Sequence, residues 1–367
     1  MERKPPKYLT LYETLRNEIV SGSIPYGRKL PSKRELKDRY GLSLITVEHS
    51  LELLTWEGYA VSKERSGYFA DYRPGEVFLS GRDGRKTGNE PEKPEPAAPR
   101  KIDPIPFTVI SRAMRKVLSD RGEAILEKSP NEGLLCFRKA IADYLSRNRG
   151  MAVKPECIFI GSGAEYLYGL IVEAFGRGKT VAIEAPSYKK IRQVYEGKGV
   201  RIEELKLGAD GILTEALNAS RADILHVSPF RSFPSGVTAS ASKKRAYLNW
   251  AKKGKRLVIE DDFESEFSLL RKPEDTVFGL SSGKGVLYLN TFSRTVSPAL
   301  RVGYLALSED LAGAFREKTG FYSCTVPAFE QYVLTELLES GAFERHVNRI
   351  RRRLRKAGEA GDGEETR

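Results

Sequence analysis

The residues best suited to chemistry follow a short apolar run in the last quarter of the chain. The stretch LNTFSRTVSPALRVGYL, residues 289–305, sets Thr291, Ser293, Arg294 and Arg301 between two apolar runs. Hydroxyl and guanidinium groups donate hydrogen bonds to phosphate oxygens, and arginine does so with two parallel bonds. The stretch therefore predicts an anion-binding turn between two strands, with Arg294 at its centre.

Two further stretches carry groups that suit the same kind of site. GSGAE, residues 161–165, lies between an apolar run and a helical pattern. Its backbone N–H groups therefore predict an anion cradle at a helix N-terminus. EDDF, residues 260–263, ends another apolar run with two adjacent acids. Most glycine-rich turns are only turns, and most single acid pairs are solvated or ion-paired, but the three stretches in this order favour a binding site.

These stretches need a sheet that brings the ends of several strands together. TVAIEAPSY, ILHVSPF, RLVIEDDF and GVLYLNTF are apolar runs that end in polar residues, with helical patterns between them. This rhythm predicts an α/β domain with a mostly parallel sheet covered on both faces. Ligands gather at the carboxyl ends of strands in such sheets, which is where Gly163, Asp261, Ser293 and Arg301 fall.

The first 72 residues read as three helices and a hairpin, the pattern of a winged helix-turn-helix. Ser32, followed by Glu35, predicts a capping box at the start of the second helix. The third helix, 43–57, is the predicted recognition helix. Its first residues, Ser43, Leu44, Ile45 and Thr46, are expected to face the major groove of DNA, and the hairpin wing carries Lys63, Arg65 and Gly67.

Charge alone does not settle the role of this first segment. Residues 1–72 hold 12 Lys or Arg and 10 Asp or Glu, a net charge of +2. That is little for DNA binding, where neutralised phosphates supply much of the affinity. A small helical domain that binds another protein is the alternative, and the pattern rather than the charge favours DNA.

The rest of the composition bounds the class of protein. Residues 73–102 are rich in Gly, Pro and charge and predict a linker, residues 103–357 form the large domain, and residues 358–367 predict a disordered tail. The net charge of +12 favours a polyanionic partner, although the basic block 345–356 is read either as a solvated helix face or as a nucleic-acid contact. The chain has three widely spaced cysteines, three histidines and no long apolar run, which predicts a cytoplasmic protein without a metal site.

Residues 8–70 closely resemble the DNA-binding domain of the GntR family of bacterial transcription regulators. The stretches SKRE, YGLSLITVEHSLELL and SGYFA carry the resemblance. It implies contacts with double-stranded DNA, and the expected DNA-binding residues are Ser32, Arg34, Ser43, Leu44, Thr46, Lys63, Arg65 and Gly67. Leu44 departs from the family's arginine and cannot bind guanine with two hydrogen bonds, which implies a different operator or a lower affinity.

Residues 103 to about 356 resemble the class I/II aminotransferase fold, and the order of domains resembles the MocR-type regulators. The stretches IGSGAEYLYGL, EAPSY, IEDDF and TFSRTVSPALRVGYL carry this resemblance. It implies a fold-type I domain that binds pyridoxal phosphate. By position, the implied cofactor-binding residues are Gly163, Ala164, Tyr188, Asp261, Thr291, Ser293, Arg294 and Arg301.

Four residues depart from the aminotransferase pattern. Arg294 stands where the family has its Schiff-base lysine, and a guanidinium has no neutral amine to offer. Phe263 replaces a tyrosine, Arg231 replaces a histidine or polar residue, and Glu165 replaces a glutamine and adds a negative charge beside the phosphate position. These changes predict that transamination is lost and that phosphate binding is weakened.

Three functions follow from these resemblances. The first is a regulator whose degenerate aminotransferase-like domain serves dimerisation and the sensing of a small amine or amino acid. The second is a regulator that still holds pyridoxal phosphate, or its amino acid adduct, without a covalent bond, the other expectation being no cofactor at all. The third is an active aminotransferase. The family implies a homodimer, and by comparison with it we expect the small C-terminal subdomain that follows residue 357 to be missing.

Overall fold

The computed structural model describes residues 7–56, 59–63, 66–71, 102–269 and 275–361, which fall into two compact units. The smaller unit is the predicted helix-turn-helix with a hairpin. Its elements are α1 (Lys7–Val20), α2 (Lys33–Tyr40), α3 (Leu44–Trp56), β1 (Ala60–Lys63) and β2 (Gly67–Ala70). Leu15, Ile19, Leu36, Val47 and Leu51 are fully buried between the helices, as the helical spacing of apolar residues requires.

Local hydrogen bonds fix where the helices of the smaller unit begin and end. The Glu35 N–H donates to Ser32 Oγ at 3.3 Å, and the Ser32 N–H donates to Glu35 Oε2 at 2.6 Å. The capping box is therefore formed as predicted. Gly41 ends α2 with a φ of +60°, a left-handed conformation that glycine adopts without strain.

The larger unit alternates helices and strands. Its strands are β3 (Ile158–Gly161), β4 (Thr180–Ala185), β5 (Arg201–Gly208), β6 (Gly211–Ile212), β7 (Ile224–Val227), β8 (Leu257–Asp261), β9 (Val286–Thr291) and β10 (Gly303–Ala306). Its helices are α4 (Phe107–Arg121), α5 (Leu135–Arg149), α6 (Ala164–Ile171), α7 (Lys189–Gly197), α8 (Thr214–Ala219), α9 (Ala241–Gly254), α10 (Val277–Ser281), α11 (Phe292–Thr295), α12 (Glu309–Thr319), α13 (Ala328–Glu339) and α14 (Ala342–Gly361).

The eight strands form one sheet in the order β3-β10-β9-β8-β7-β4-β5-β6. The five central strands, β9, β8, β7, β4 and β5, are parallel, which confirms the predicted α/β class with a mostly parallel sheet. The strand β10 runs antiparallel to both of its neighbours, and β6 runs antiparallel to β5. The connection from β9 to β10 holds only the single turn α11, which is too short for the crossover that parallel pairing needs.

The core of the larger unit lies in two layers, one on each face of the sheet. Successive residues of a strand enter opposite layers: Val258 packs in one and Ile259 in the other, and Tyr288 and Leu289 divide in the same way. Because both faces are covered, β7 and β9 are buried along their whole length, which explains their nearly continuous apolar sequences.

Two predicted segments, the C-terminal tail and the linker, extend beyond the described residues. The helix α14 continues to Gly361, so the prediction of a disordered tail over residues 358–367 is wrong for its first four residues. Two of these four residues are glycines, so helix propensity does not favour the extension, but a helix that is already formed adds one backbone hydrogen bond with each further residue. Residues 362–367, almost all of the predicted linker 73–102, and Arg65 lie outside the described residues. No helix in the described part of the chain is both long and apolar enough to cross a membrane.

Candidate functional site

A cavity of about 440 Å³ opens in the larger unit at the carboxyl ends of the parallel strands. It lies where sequence patterns predict a site, because β8 and β9 end there at Asp261 and Thr291 and Ser228 directly follows β7. Its wall is formed by Ala164, Glu165, Tyr168, Tyr188, Ile191, Ser228, Arg231, Phe233, Gly236, Asp261, Phe263, Glu264, Thr291, Ser293, Arg294, Pro298 and Arg301. Every predicted cofactor residue except Gly163 therefore lines one cavity.

Asp261 is the buried acid of this cavity. Its Oδ2 accepts a hydrogen bond from the Tyr168 hydroxyl and lies 3.5 Å from His226 Nε2. The Tyr195 hydroxyl lies 2.6 Å from the other ring nitrogen of His226. Asp261 Oδ1, in contrast, is buried without a hydrogen-bond partner among the described residues. The site therefore holds one carboxylate oxygen that an N–H group of a ligand would satisfy.

Two buried tyrosines, Tyr168 and Tyr195, lie close to Asp261. Burial, and then the charge of Asp261, raises the pKa of Tyr168 and of Tyr195 well above the usual value. Both phenols therefore remain protonated at neutral pH, and Tyr168 acts as a donor to Asp261. Tyr168 lies one helical turn after Ala164, so the spacing within GSGAEYLY would have identified it as a site residue.

The two aspartates of EDDF point in opposite directions because successive residues along a strand alternate faces. Asp261 faces the cavity, whereas Asp262 is buried on the other side in an ion pair with Arg149 of α5 at 2.7 Å. The Tyr288 hydroxyl also donates to Asp262 Oδ2 at 2.7 Å. One acid of the pair is thus placed for binding and the other for holding the core together.

Arg294 occupies the position in which the resemblance expects an amine. Its Nη2 lies 2.8 Å from Oε1 of the buried Glu264. Arg231 approaches the second oxygen of the same carboxylate, with 3.4 Å between its Nε and Oε2. Glu264 escaped the sequence analysis because it lies three residues beyond Asp261, in the irregular part of the stretch ESEF. The cavity therefore presents two guanidinium groups around one acid and no primary amine among its described lining residues.

At the predicted phosphate position the Ser162 and Gly163 N–H groups donate within the chain, and a carboxylate of the chain already pairs with the arginine. Arg301 Nη2 lies 2.7 Å from Glu165 Oε2, and Lys190 Nζ lies 2.6 Å from Glu165 Oε1. The hydrogen bond from Lys190, helped by the charge of Arg301, lowers the pKa of Glu165 below its usual value. Glu165 is therefore ionised at neutral pH and offsets the charge of one of the two cations that a phosphate would need.

Three other predicted cofactor residues, Gly163, Ser293 and Tyr188, lie close to neighbouring parts of the chain. Gly163 has a φ of +91°, and a Cβ at this position would lie 3.2 Å from Arg301 Nη2, so a larger residue would crowd the arginine. Ser293 Oγ donates to the Leu300 carbonyl at 2.7 Å and thereby closes the turn. The ring of Tyr188 meets that of Phe233 edge to face, with centroids 5.9 Å apart, and together they form an aromatic wall.

The lining residues suit the ring nitrogen of pyridoxal phosphate, but they suit neither its covalent attachment nor its phosphate group. The unpartnered oxygen of Asp261 suits a protonated ring nitrogen. At the covalent position Arg294 offers no amine, and at the phosphate position Glu165 competes for Arg301. The site as a whole is therefore unsuited to holding this cofactor in the way that aminotransferases hold it.

The smaller unit exposes the start of α3, where the sequence predicts contacts with DNA. Ser43 Oγ accepts the Thr46 N–H at 3.1 Å and lies 2.7 Å from the Thr46 hydroxyl, so this serine caps α3. Leu44 and Ile45 are 43% and 78% exposed at the start of the same helix. Exposed apolar groups at this position suit contacts with thymine methyl groups. Ile45 is therefore a further candidate for contact with DNA, beside the predicted Leu44.

The remaining predicted DNA contacts lie on α2 and the hairpin. Arg34 is exposed on α2. Lys63 is exposed at the end of β1, 4.8 Å from the centroid of the Phe69 ring. Gly67 has a φ of +103°, which a residue with a side chain would adopt only with strain, so the turn of the wing requires glycine here.

Glu184 gives the larger unit a pH-dependent stability. Burial raises the pKa of Glu184 from its usual 4.5 to about 7, although Ser232 Oγ and the Ser228 N–H donate to it. A carboxyl with a higher pKa in the folded chain binds its proton more tightly when folded, so stability falls between about pH 4.5 and pH 7 and is level above that range. We expect Glu184→Gln to raise the free energy of unfolding at pH 8 by about 2 kcal/mol.

Urea unfolding of the wild type and of Glu184→Gln at pH 5 and pH 8 checks this expectation. The gain from the substitution should be present at pH 8 and largely absent at pH 5, where the wild-type carboxyl is already protonated. Glu204→Gln, which changes a more exposed carboxyl on β5, serves as the control. Equal effects of Glu184→Gln at the two pH values would contradict the assignment.

Each of the two units matches a known protein family. Residues 102–359 match the family model for aminotransferase class I and II, and residues 7–69 match that for bacterial regulatory proteins of the gntR family. The helix-turn-helix-type transcriptional regulator YdeL of Bacillus subtilis is 30% identical over 96% of this chain and 77% of its own length. The probable rhizopine catabolism regulatory protein MocR of Rhizobium meliloti is 25% identical over 95% of this chain and 74% of its own.

Solved structures of aminotransferases share the fold of the larger unit. The α-aminoadipate aminotransferase LysN of Thermus thermophilus, complexed with N-(5'-phosphopyridoxyl)-L-leucine, matches with a TM-score of 0.59 and 27% identity. The match covers 68% of this chain and 64% of the enzyme, so the chain spans less than two thirds of that aminotransferase.

Proposed function

This chain belongs to the MocR-type regulators of the gntR family, which join a helix-turn-helix domain to an aminotransferase class I and II domain, and we propose that its aminotransferase-like unit senses a ligand without transaminating. The observation that carries the proposal is the ion pair between Arg294 and Glu264 at 2.8 Å, in the place of a reactive amine. A guanidinium stays charged at neutral pH and has no free electron pair, so it cannot attack the aldehyde of pyridoxal phosphate.

The proposed regulator binds double-stranded DNA in the bacterial cytoplasm through the face formed by α2, α3 and the wing. The exposed start of α3 supports this role, because residues at the start of a recognition helix reach the base edges of the major groove. The proposed homodimer draws support from strongly exposed apolar side chains in the larger unit, Phe107, Leu126 and Phe321 among them, which a second copy of the chain would cover.

Non-covalent binding of pyridoxal phosphate is a second candidate for the larger unit. The unpartnered Asp261 Oδ1 favours it, since that oxygen would accept a proton-bearing ring nitrogen. The pairing of Glu165 with Arg301 opposes it, because the phosphate would have to displace a carboxylate held by two cations. We therefore propose a regulator that works without this cofactor as its resident group.

Arg34→Ala should weaken binding to operator DNA by about ten- to hundredfold, because an exposed arginine at the DNA face contributes charge-assisted contacts. An electrophoretic mobility shift with DNA from upstream of the chain's own gene measures the change. Arg16→Ala removes the same charge from α1, away from the predicted face, and should leave the affinity within about twofold. If the wild type shifts no neighbouring intergenic fragment at low salt, the proposed function fails.

A further inference from the structure

The helix α3 lacks the side chains that bind a base with two parallel hydrogen bonds. Residues 44–56, LITVEHSLELLTW, contain no arginine, lysine, asparagine or glutamine. In the major groove, arginine and lysine read guanine in this way, and asparagine and glutamine read adenine. When α3 enters the groove, as the proposed function requires, it must therefore read the base pairs by other contacts.

The charged and aromatic polar side chains near the start of α3 are engaged within the smaller unit. Glu48 forms an ion pair with Lys33 of α2. The ring of His49 stacks on that of Tyr8, with the two centroids 4.4 Å apart. Glu52 is exposed but lies two helical turns after the start, whereas the first residues of a recognition helix reach the base edges.

The hydroxyl groups near the start of α3 are also hydrogen-bonded within the smaller unit. Ser43 Oγ lies 2.7 Å from the Thr46 hydroxyl. The buried Ser50 Oγ donates to the Tyr8 carbonyl at 2.8 Å and lies 2.9 Å from the Thr46 carbonyl. Serine and threonine accept more than one kind of base as a partner, so these groups distinguish base pairs poorly even where they reach the groove.

Two aliphatic side chains, Leu44 and Ile45, form the exposed surface at the start of α3. They are 43% and 78% exposed, and neither belongs to the buried core of the smaller unit. The major groove presents one apolar group on its base edges, the C5-methyl group of thymine, which apolar side chains contact. The exposed surface of α3 is therefore complementary to this methyl group rather than to the polar edges of the bases.

We infer that α3 reads its operator through C5-methyl groups in the major groove, and that Leu44 and Ile45 determine this specificity. Thymine is one source of the group, and 5-methylcytosine carries a methyl at the same ring position. The inference rests on the proposed binding of DNA by α3 and adds which chemical feature of the base pairs the helix reads.

DNA that contains uracil in place of thymine tests the inference, because uracil differs from thymine only in lacking the methyl group. The probe is an upstream intergenic fragment that the full chain shifts, copied by polymerase chain reaction with either dTTP or dUTP. Burial of one methyl group raises affinity by about fourfold, so loss of the methyl contacts of both side chains should weaken binding by about tenfold or more. A third copy, made with uracil and 5-methylcytosine, separates the two sources of the methyl group.

A double variant assigns the preference to the two side chains. Leu44→Ala with Ile45→Ala should bind the thymine fragment about tenfold more weakly than the wild type and distinguish thymine from uracil by about twofold or less. Circular dichroism checks that this variant is folded, as the exposure of both residues leads us to expect. Leu213→Ala, at a leucine of the larger unit that is 39% exposed, should keep the wild-type ratio.

The outcomes separate this inference from the proposed function. A preference for thymine over uracil that the double variant loses supports the inference with thymine as the source. A gain from 5-methylcytosine that the double variant loses supports it with methylated cytosine as the source. Absence of both effects in the wild type, or their persistence in the double variant, overturns the inference, while the mobility shift itself upholds the regulator role. A wild type that shifts no fragment overturns the proposed function and the inference together.

Discussion

Replacing Arg149 with leucine should lower the free energy of unfolding of the larger unit by about 3–5 kcal/mol. The side chains of Arg149 and Asp262 are 3% and 4% exposed and lie 2.7 Å apart. Removal of the arginine would leave Asp262 buried without its counter-ion, with the Tyr288 hydroxyl still donating to it and the buried acids Glu260 and Glu266 nearby. A buried charge without its counter-ion is among the most destabilising changes a single substitution can make.

Urea unfolding followed by circular dichroism measures this loss, and α5 offers a matched control. Arg147, two residues earlier on the same helix, pairs with Glu344 but is 55% exposed. Arg147→Leu should cost less than about 1 kcal/mol, because solvent screens an exposed pair. The double variant Arg149→Leu with Asp262→Leu should recover part of the loss. Equal losses in Arg149→Leu and Arg147→Leu would show that the buried pair does not hold the core.

Replacing Arg294 with lysine should create a site that pyridoxal phosphate labels covalently, whereas the wild type should show no label at this residue. Labelling should be slow at pH 7 and much faster at pH 9. The reason is that Glu264, which holds the guanidinium at 2.8 Å, would also hold a lysine ammonium and keep it protonated. Adding Glu165→Gln should raise the labelled fraction further, because Arg301 then becomes available to the phosphate.

Borohydride reduction followed by mass spectrometry of the peptide that contains residue 294 measures the label. Arg294→Gln, which also removes the guanidinium but supplies no amine, should remain unlabelled at both pH values. A label on residue 294 of the wild type would contradict the loss of covalent chemistry. If Arg294→Lys with Glu165→Gln stays unlabelled at pH 9, the cavity does not hold the ring, and the assignment of Asp261 to a ligand nitrogen fails as well.

Most of the fold could be predicted because its signals are local. The Ser32 capping box, the exposed start of α3 and the order of strands and helices all depend on residues within a few positions of one another. The alternation along β8 also follows from the strand period, although the sequence left open which acid of EDDF faces the cavity. The extension of α14 to Gly361 could not be predicted from these residues, because two of the last four are glycines and the helix extends from the residues before them.

The sequence by itself determined the two-unit organisation, the sheet class, part of the cavity wall and the absence of an amine at position 294, since residue type and local pattern decide all four. The tertiary structure alone decided what those members do to one another. Glu165 and Arg301 are 136 positions apart, and Glu264 and Arg294 are 30 apart, yet each pair forms an ion pair at the strand ends. Ion pairs depend on distances of a few ångströms, which the order of strands in the sheet sets and no local pattern records.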